Sequence, residues 1–263
     1  MSYNYNYRTS KLYLLIFYVF YMIKVIVASR ALNILNTFFI NYVKGQGSFM
    51  SLKPVLPNRV FGSCMLIGFT LIMTYVSFNP FNRVDAFFQT YVEQLNIYHL
   101  KQVMILITQL ANPVVVIILV LVIACVMWLR GHKLDAGWVT LTLFVSDAAA
   151  YVIKYVVARV RPVGQMIFDT GFSFPSIHTI SAVTVVLIII SLVKHHKKSV
   201  WIVGLIWIAI VALSRIYLKN HFPTDTLGAI FLGFTIWSFM SYFHQMMIKK
   251  NFSKTFLNNI LPK

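Results

Sequence analysis

Acidic residues are nearly missing from this sequence. Six carboxylates stand among 263 residues, at Asp85, Glu93, Asp135, Asp147, Asp169 and Asp225, against 23 Lys+Arg. They are scattered, which disfavours a two-metal hydrolase, whose centre needs clustered oxygen ligands. Charge of either sign is scarce: 11% of residues are charged, where a soluble domain carries about 25%. With 59% hydrophobic residues and mean hydropathy +0.76, the chain cannot cover a water-facing surface and is expected to be solvated largely by lipid. Cysteine is limited to Cys64 and Cys125, which lie in apolar runs without CxxC company and read as small buried hydrophobes. Internal repeats and low-complexity linkers are not visible.

What the chain has in place of charge is apolar length. About 20 apolar residues span a hydrocarbon core as a helix, and six such runs follow a proline- and lysine-punctuated start at 50–59. They are placed at residues 60–78, 103–129, 137–157, 179–193, 200–218 and 226–247. Between the first two, residues 79–99 mix aromatic and polar residues at helical spacing, the pattern of an interfacial helix. A net charge of +17 in a soluble protein would suggest nucleic acid. Here Lys and Arg collecting in cytoplasmic loops explain it, and no nucleic-acid partner is expected. Lys53 and Arg59, Arg130 and Lys133, Lys194, Lys197 and Lys198, and Lys249, Lys250 and Lys254 fall on one side, assigned to the cytoplasm together with both ends of the six-span core. His195-His196 resembles a metal site only superficially and reads as part of a solvated loop.

Two loops on the opposite, outer side break the charge rule. One runs from Lys154 through Arg159 to Arg161-Pro162 and closes on Phe174-Pro175-Ser176-Ile177-His178 at the fourth span. The other reads Ser214-Arg215, then His221, then Asp225 at the sixth span. Taken singly these residues are ordinary: lysines snorkel, and Pro-Ser before a helix is capping. Taken together they are not, because a cation at mid-bilayer costs about 2.5–3.5 kcal/mol on insertion scales. Lys154, Arg161 and Arg215 make sense if they converge on an anion in a wet pocket, with a phosphate gaining charge-assisted hydrogen bonds and the positive end of the fourth helix. Arg159 reads either as a contact to a second phosphate or as a lipid anchor. Asp147 shares a helix face with Lys154 but stands two turns away, so a structural bond to another helix is as good a reading as a functional one.

The sequence Lys154-x6-Arg161-Pro162, Pro175-Ser176-x-His178, Ser214-Arg215-x5-His221-x3-Asp225 resembles the three-part signature of the type 2 phosphatidic acid phosphatase superfamily, in order and in spacing, over roughly residues 50–247. The resemblance implies an all-α, polytopic six-transmembrane-helix bundle with its site at the outer membrane face. It implies hydrolysis of a membrane lipid phosphate or diphosphate through a phosphohistidine, without metal or other cofactor. By the family's roles His221 is the nucleophile, Asp225 orients its imidazole and stabilises its positive charge, and His178 is the general acid. Lys154, Arg161 and Arg215 hold the phosphoryl oxygens, with Ser176 and Ile177 lending donors. Ile177 departs from the pattern, which has glycine there, and its bulk would crowd the phosphate cradle.

Isoprenyl diphosphate, phosphatidylglycerol phosphate and phosphatidate all remain candidate substrates, since the motifs recognise phosphate rather than the lipid tail. A catalytically inactive lipid-phosphate-binding or transport protein is the alternative, disfavoured because binding alone needs no His178, His221 and Asp225. Two regions are expected: a core at 50–263 and an extension at 1–49. The apolar stretch 12–28 in that extension reads as an extra helix, an interfacial anchor or sequence ahead of an authentic start at Met50.

Overall fold

A computed structural model describes residues 59–94, 98–193 and 197–260. The readings of the 1–49 extension, of Met50 as a start and of His195-His196 lie outside these residues. Eight helices are described: α1 (Arg59–Phe78), α2 (Arg83–Gln94), α3 (Tyr98–Leu110), α4 (Pro113–Leu129), α5 (Lys133–Val157), α6 (Ile177–Leu192), α7 (Lys197–Tyr217) and α8 (Pro223–Ile260). The all-α expectation holds among the described residues.

Length and hydropathy qualify α1, α5, α7 and the Pro223–Ile248 part of α8 as membrane spans, and α3 with α4 makes a fifth if the bent pair is counted as one. The single span expected at 103–129 is therefore corrected to two helices meeting at 41°. The cause is local. Pro113 has no N–H to continue the preceding helix, and the Asn112 side chain accepts the Val114 amide at 2.9 Å, starting a new one. α5 ends where the span at 137–157 was expected to end. It stops at Val157, where Ala158 takes a left-handed conformation and donates its N–H to Lys154 O at 2.9 Å.

The chain is turned inside out relative to a soluble protein. Val60, Leu71, Phe144, Val156 and Val160 are exposed, while Arg159, Arg215, His221 and Asp225 are buried. Cys64 and Cys125 also lie on the outer surface, correcting their reading as buried hydrophobes; in lipid an exposed small apolar side chain carries no penalty. At the centre stands α6, apolar on nearly every face because α4, α5, α7 and α8 all pack around it. Its 16 residues reach about 24 Å at 1.5 Å per residue, less than the ~30 Å hydrocarbon core. Small residues set the close crossings: a Cβ on Gly233 of α8 would meet Val183 Cγ1 of α6 at 2.8 Å.

Between the first spans, α2 is amphipathic, as the sequence suggests. Asn82 caps it, accepting the Asp85 amide at 2.9 Å, and Phe87, Phe88 and Tyr91 are exposed along it.

Candidate active site

Three local features bring the two unusual loops together. The Ala158–Ser176 connection folds back on itself through Ser173 N–H to Arg159 O at 2.8 Å and is pinned to the α7–α8 turn by Met166 N–H to Leu218 O at 2.9 Å. The α7–α8 turn closes with Lys219 in the left-handed region and the Asn220 and His221 amides donating to Arg215 O at 3.1 and 3.2 Å. At the start of α8, Pro223 occupies the first helical position, where its missing N–H is harmless. Asp225 two residues on accepts the Phe222 amide through Oδ2 at 2.8 Å, the return half of a capping box. The turn thus fixes the backbone of His221 and the carboxylate of Asp225 by separate devices.

Lys154, Arg161, Ile177, His178 and His221 line one cavity of about 270 Å³, with Pro113, Tyr151, Tyr155 and the 169–172 loop completing its wall. Arg215 and Asp225 stand behind that wall, 1% and 0% exposed. Arg161 reaches furthest: Nη1 donates to Asn220 O at 2.9 Å and lies 3.4 Å from His221 Nε2, while Nε and Nη2 hold Gly171 O and Thr170 O, each at 3.0 Å. Lys154 Nζ donates to Phe172 O at 2.6 Å. Asp169, which the motifs do not include, accepts from both Arg161 and Arg215. Arg215 Nε is buried without a hydrogen-bond partner.

The two faces of the His221 ring edge are distinguishable. Nδ1 lies 3.5 Å from Asp225 Oδ2, and Nε2 points to Arg161 on the cavity side. With the ring proton on Nδ1, near the Asp225 carboxylate, the Nε2 lone pair faces Arg161. Burial, then Arg215, Lys154 and Arg161, push the His221 pKa well below its ordinary value, so the ring is neutral at pH 7. A neutral imidazole with one free lone pair is the reactive form of a nucleophile.

Ser176 does not line the cavity. It is fully buried, its amide donates to Asp225 O at 3.3 Å, and its hydroxyl accepts from Thr179 at 3.0 Å. That places it beside the α7–α8 turn. Because its side chain does not cap α6, the first amides of that helix keep their donors. Ile177 begins α6 with ordinary backbone angles: among the described non-glycine residues only Ala158 and Lys219 have positive φ. Its side chain packs against the cluster around Phe174 and Ile180, so the position does not demand glycine's conformational freedom. Asp147 accepts from Ser181 of α6 at 3.3 Å, the helix-to-helix bond anticipated as one of its two readings.

Arg159 corrects both of its sequence readings. It is 2% exposed and bonded to Asp85 at 2.6 Å and to Asp225 at 2.7 Å, so it neither lines the cavity nor faces lipid. Asp85, Asp169 and Asn220 were not singled out by motif reasoning. The only available signal was the rarity of acids, which makes each of the six unusual in so apolar a chain.

Residues 135–249 match the PAP2 superfamily, the segment that contains the Lys154, His178 and His221 loops. The chain is 34% identical over 155 residues to phosphatidylglycerophosphatase B of Bacillus subtilis, covering 56% of this chain and 76% of that protein. It is 33% identical over 112 residues to undecaprenyl-diphosphatase of Sulfolobus acidocaldarius, covering 38% and 52% of the two chains. The crystal structure of a transmembrane PAP2 type phosphatidylglycerolphosphate phosphatase from Bacillus subtilis superposes with a TM-score of 0.63 at 26% identity, over 72% of this chain and 96% of that one. With Lys154, Arg161, His178 and His221 lining one cavity of a multi-pass helical fold and Arg215 and Asp225 directly behind its wall, the chain belongs to the PAP2 superfamily and is a lipid phosphate phosphatase.

Proposed function

We propose that this protein hydrolyses a lipid phosphate or diphosphate through a phosphohistidine on His221, without a metal, at the outer face of a six-span bundle in which the short α6 is the fourth span. The observation that carries this reading is His221 itself, with Nδ1 toward Asp225 and Nε2 toward the phosphate-binding cations. In the first step the Nε2 lone pair attacks phosphorus and the bond to the leaving oxygen breaks, His178 donating the proton that this oxygen takes. Asp225 stabilises the positive charge left on the ring. In the second step water attacks phosphorus, His178 accepts its proton, and the N–P bond breaks to release inorganic phosphate. Lys154, Arg161, Arg215 and the first amides of α6 balance the charge on the phosphoryl oxygens in both transition states, the task a metal performs elsewhere. Phosphatidylglycerol phosphate, isoprenyl diphosphate and phosphatidate are the candidate substrates; the first two are those named in the similar proteins above. Release of inorganic phosphate from each by purified protein in EDTA tests the reading, and phosphate release that requires added divalent metal contradicts it.

Asp169 holds Arg161 and Arg215 where a phosphate would bind them, and it must give way to the ligand. Asp169→Asn is therefore expected to tighten inhibition by inorganic phosphate several-fold, since one like charge is removed from the anion's position. Unchanged or weaker inhibition would mean that the carboxylate organises the arginines instead of competing for them.

The low pKa of His221 has a consequence in acid. A nucleophile reacts in its deprotonated form, so activity is present above its pKa and lost as pH falls through it. The acid limb of kcat/KM, which reports the free enzyme, should lie below the ~6.5 of an ordinary histidine once the substrate's own ionisation is accounted for. Lys154→Gln removes one of the cations that depress this pKa and should move the limb upward; a limb that stays fixed would assign it to another group.

For topology, Val163 and Phe168 are exposed in the loop beside the site and Ser199 is exposed at the start of α7. In a background lacking Cys64 and Cys125, an impermeant thiol reagent on intact cells should label Val163→Cys and Phe168→Cys but not Ser199→Cys. The reverse pattern places the site on the cytoplasmic face.

A further inference from the structure

Asp225 uses its two oxygens in different directions. Oδ2 faces His221 Nδ1 and takes the Phe222 amide, whereas Oδ1 takes Arg159 Nη1 at 2.7 Å. Arg159 in turn is held from every side. Nη2 donates to Asp85 Oδ2 and to Pro80 O, both at 2.6 Å, Nε donates to Pro80 O at 3.0 Å, and Nη1 also donates to Thr224 Oγ1 at 2.8 Å. The guanidinium lies over the Phe222 ring at 4.0 Å. Asp85 completes the closure: its Oδ1 accepts the Thr224 amide at 3.0 Å and its Oδ2 the Thr224 hydroxyl at 2.7 Å. Asp85 and Asp225 are each 0% exposed, so these charges are screened by little but one another.

Asp85 matters to the chemistry because of the charge count. Were Arg159 paired with Asp225 alone, the two charges would cancel, and the imidazole would face a neutral pair when it most needs an anion. A second carboxylate on the far side of the guanidinium leaves the set at net −1. Arg159 can then fix the orientation of Asp225 without cancelling its charge toward the ring. Plain fold stabilisation is a weaker account, because a buried ion pair often contributes no more than well-packed apolar residues would.

We infer that Asp85 and Arg159 are positioning residues for His221, acting through Asp225: Arg159 aims Oδ2 at Nδ1, and Asp85 preserves the charge of that carboxylate. The inference rests on the phosphohistidine reading above. It also reaches outside the segment matched to the superfamily, since Asp85 lies on α2, the amphipathic helix before residue 135.

The test uses the full chain, purified in detergent, with steady-state phosphate release and rapid-quench phosphoenzyme formation. Asp85→Asn should lower kcat roughly 10–100-fold, the size of loss seen when the outer partner of a metal-ligating histidine is removed, with KM nearly unchanged. The decisive readout is non-additivity: adding Asp85→Asn to Asp225→Asn should slow that variant no further, because the carboxylate through which Asp85 acts is already gone. A folded Asp85→Asn protein with wild-type kcat overturns the inference, and so does an undiminished loss in the Asp225→Asn background. If Asp85→Asn does not fold, Thr224→Val decides. It removes one hydroxyl from the same network and should lower kcat several-fold, again only where Asp225 is present; full activity or an additive loss rejects the idea. Wild-type turnover by His221→Ala would instead bring down the phosphohistidine reading, and the inference with it, a pattern separate from failure of Asp85 alone.

Discussion

His221→Ala is expected to lose roughly 10⁴–10⁶-fold in kcat, the range seen when a covalent nucleophile is deleted and only binding and charge stabilisation remain. The protein should stay folded. His221 Nδ1 makes no hydrogen bond within bonding geometry, and the α7–α8 turn is held by backbone bonds and by Asp225, so the imidazole is not what closes it. Retained detergent melting with abolished phosphate release, and loss of an acid-labile phosphoenzyme from quenched reactions, is the anticipated combination. Activity within tenfold of wild type in a folded His221→Ala protein would assign the attack to water and end the covalent mechanism. Asp225→Asn should fall short of that loss, because the ring can still be reached by phosphorus, though less well oriented.

The next largest effect is expected at His178, and it should depend on the leaving group. General acid catalysis contributes about 10²–10⁴-fold, but only where the departing oxygen needs a proton. A lipid alkoxide is strongly basic and needs one, while p-nitrophenolate is stable as an anion. His178→Ala should therefore lose most of its activity on a lipid monophosphate and far less on p-nitrophenyl phosphate. Equal losses on both substrates would show that His178 holds the phosphate instead of protonating the leaving group. In the structure His178 is the second residue of α6, directly after Ile177, and lines the same cavity as His221.

Much of this was legible in the residues alone, and the reason differs from one feature to the next. Spans are legible because lipid demands a long apolar run whatever the neighbours do, and α1, α5 and α7 appear close to where hydropathy puts them. The break at Asn112-Pro113 was legible in principle too, yet a window long enough to detect a span averages over a single proline. Lys154, Arg161 and Arg215 stood out because clustered cations at helix ends oppose the usual charge pattern of membrane loops, and His178, His221 and Asp225 because their spacing resembles the family signature. That Lys154, Arg161, His178 and His221 line one cavity, with Arg215 and Asp225 behind it, follows from the short α6 and the two loops pinned by Met166 and Ser173.

Arg159 shows where such reasoning stops. A cation two residues from Arg161 looks like a second phosphate ligand, because extended residues two apart share a side. The left-handed turn at Ala158 and the hydrogen bond from Ser173 to Arg159 O instead send its side chain away from the cavity, to Asp85. Asp85 lies 140 residues before Asp225 by numbering, and no local pattern connects them. The sequence by itself determined that this is a lipid-solvated helical protein carrying three separated motifs that resemble the superfamily signature, since composition and spacing are one-dimensional properties. Which acids serve that site, with Asp169 on the arginines and Asp85 behind Arg159, was decided only by tertiary structure, because a buried charge takes its partner from whatever the fold brings within about 3 Å.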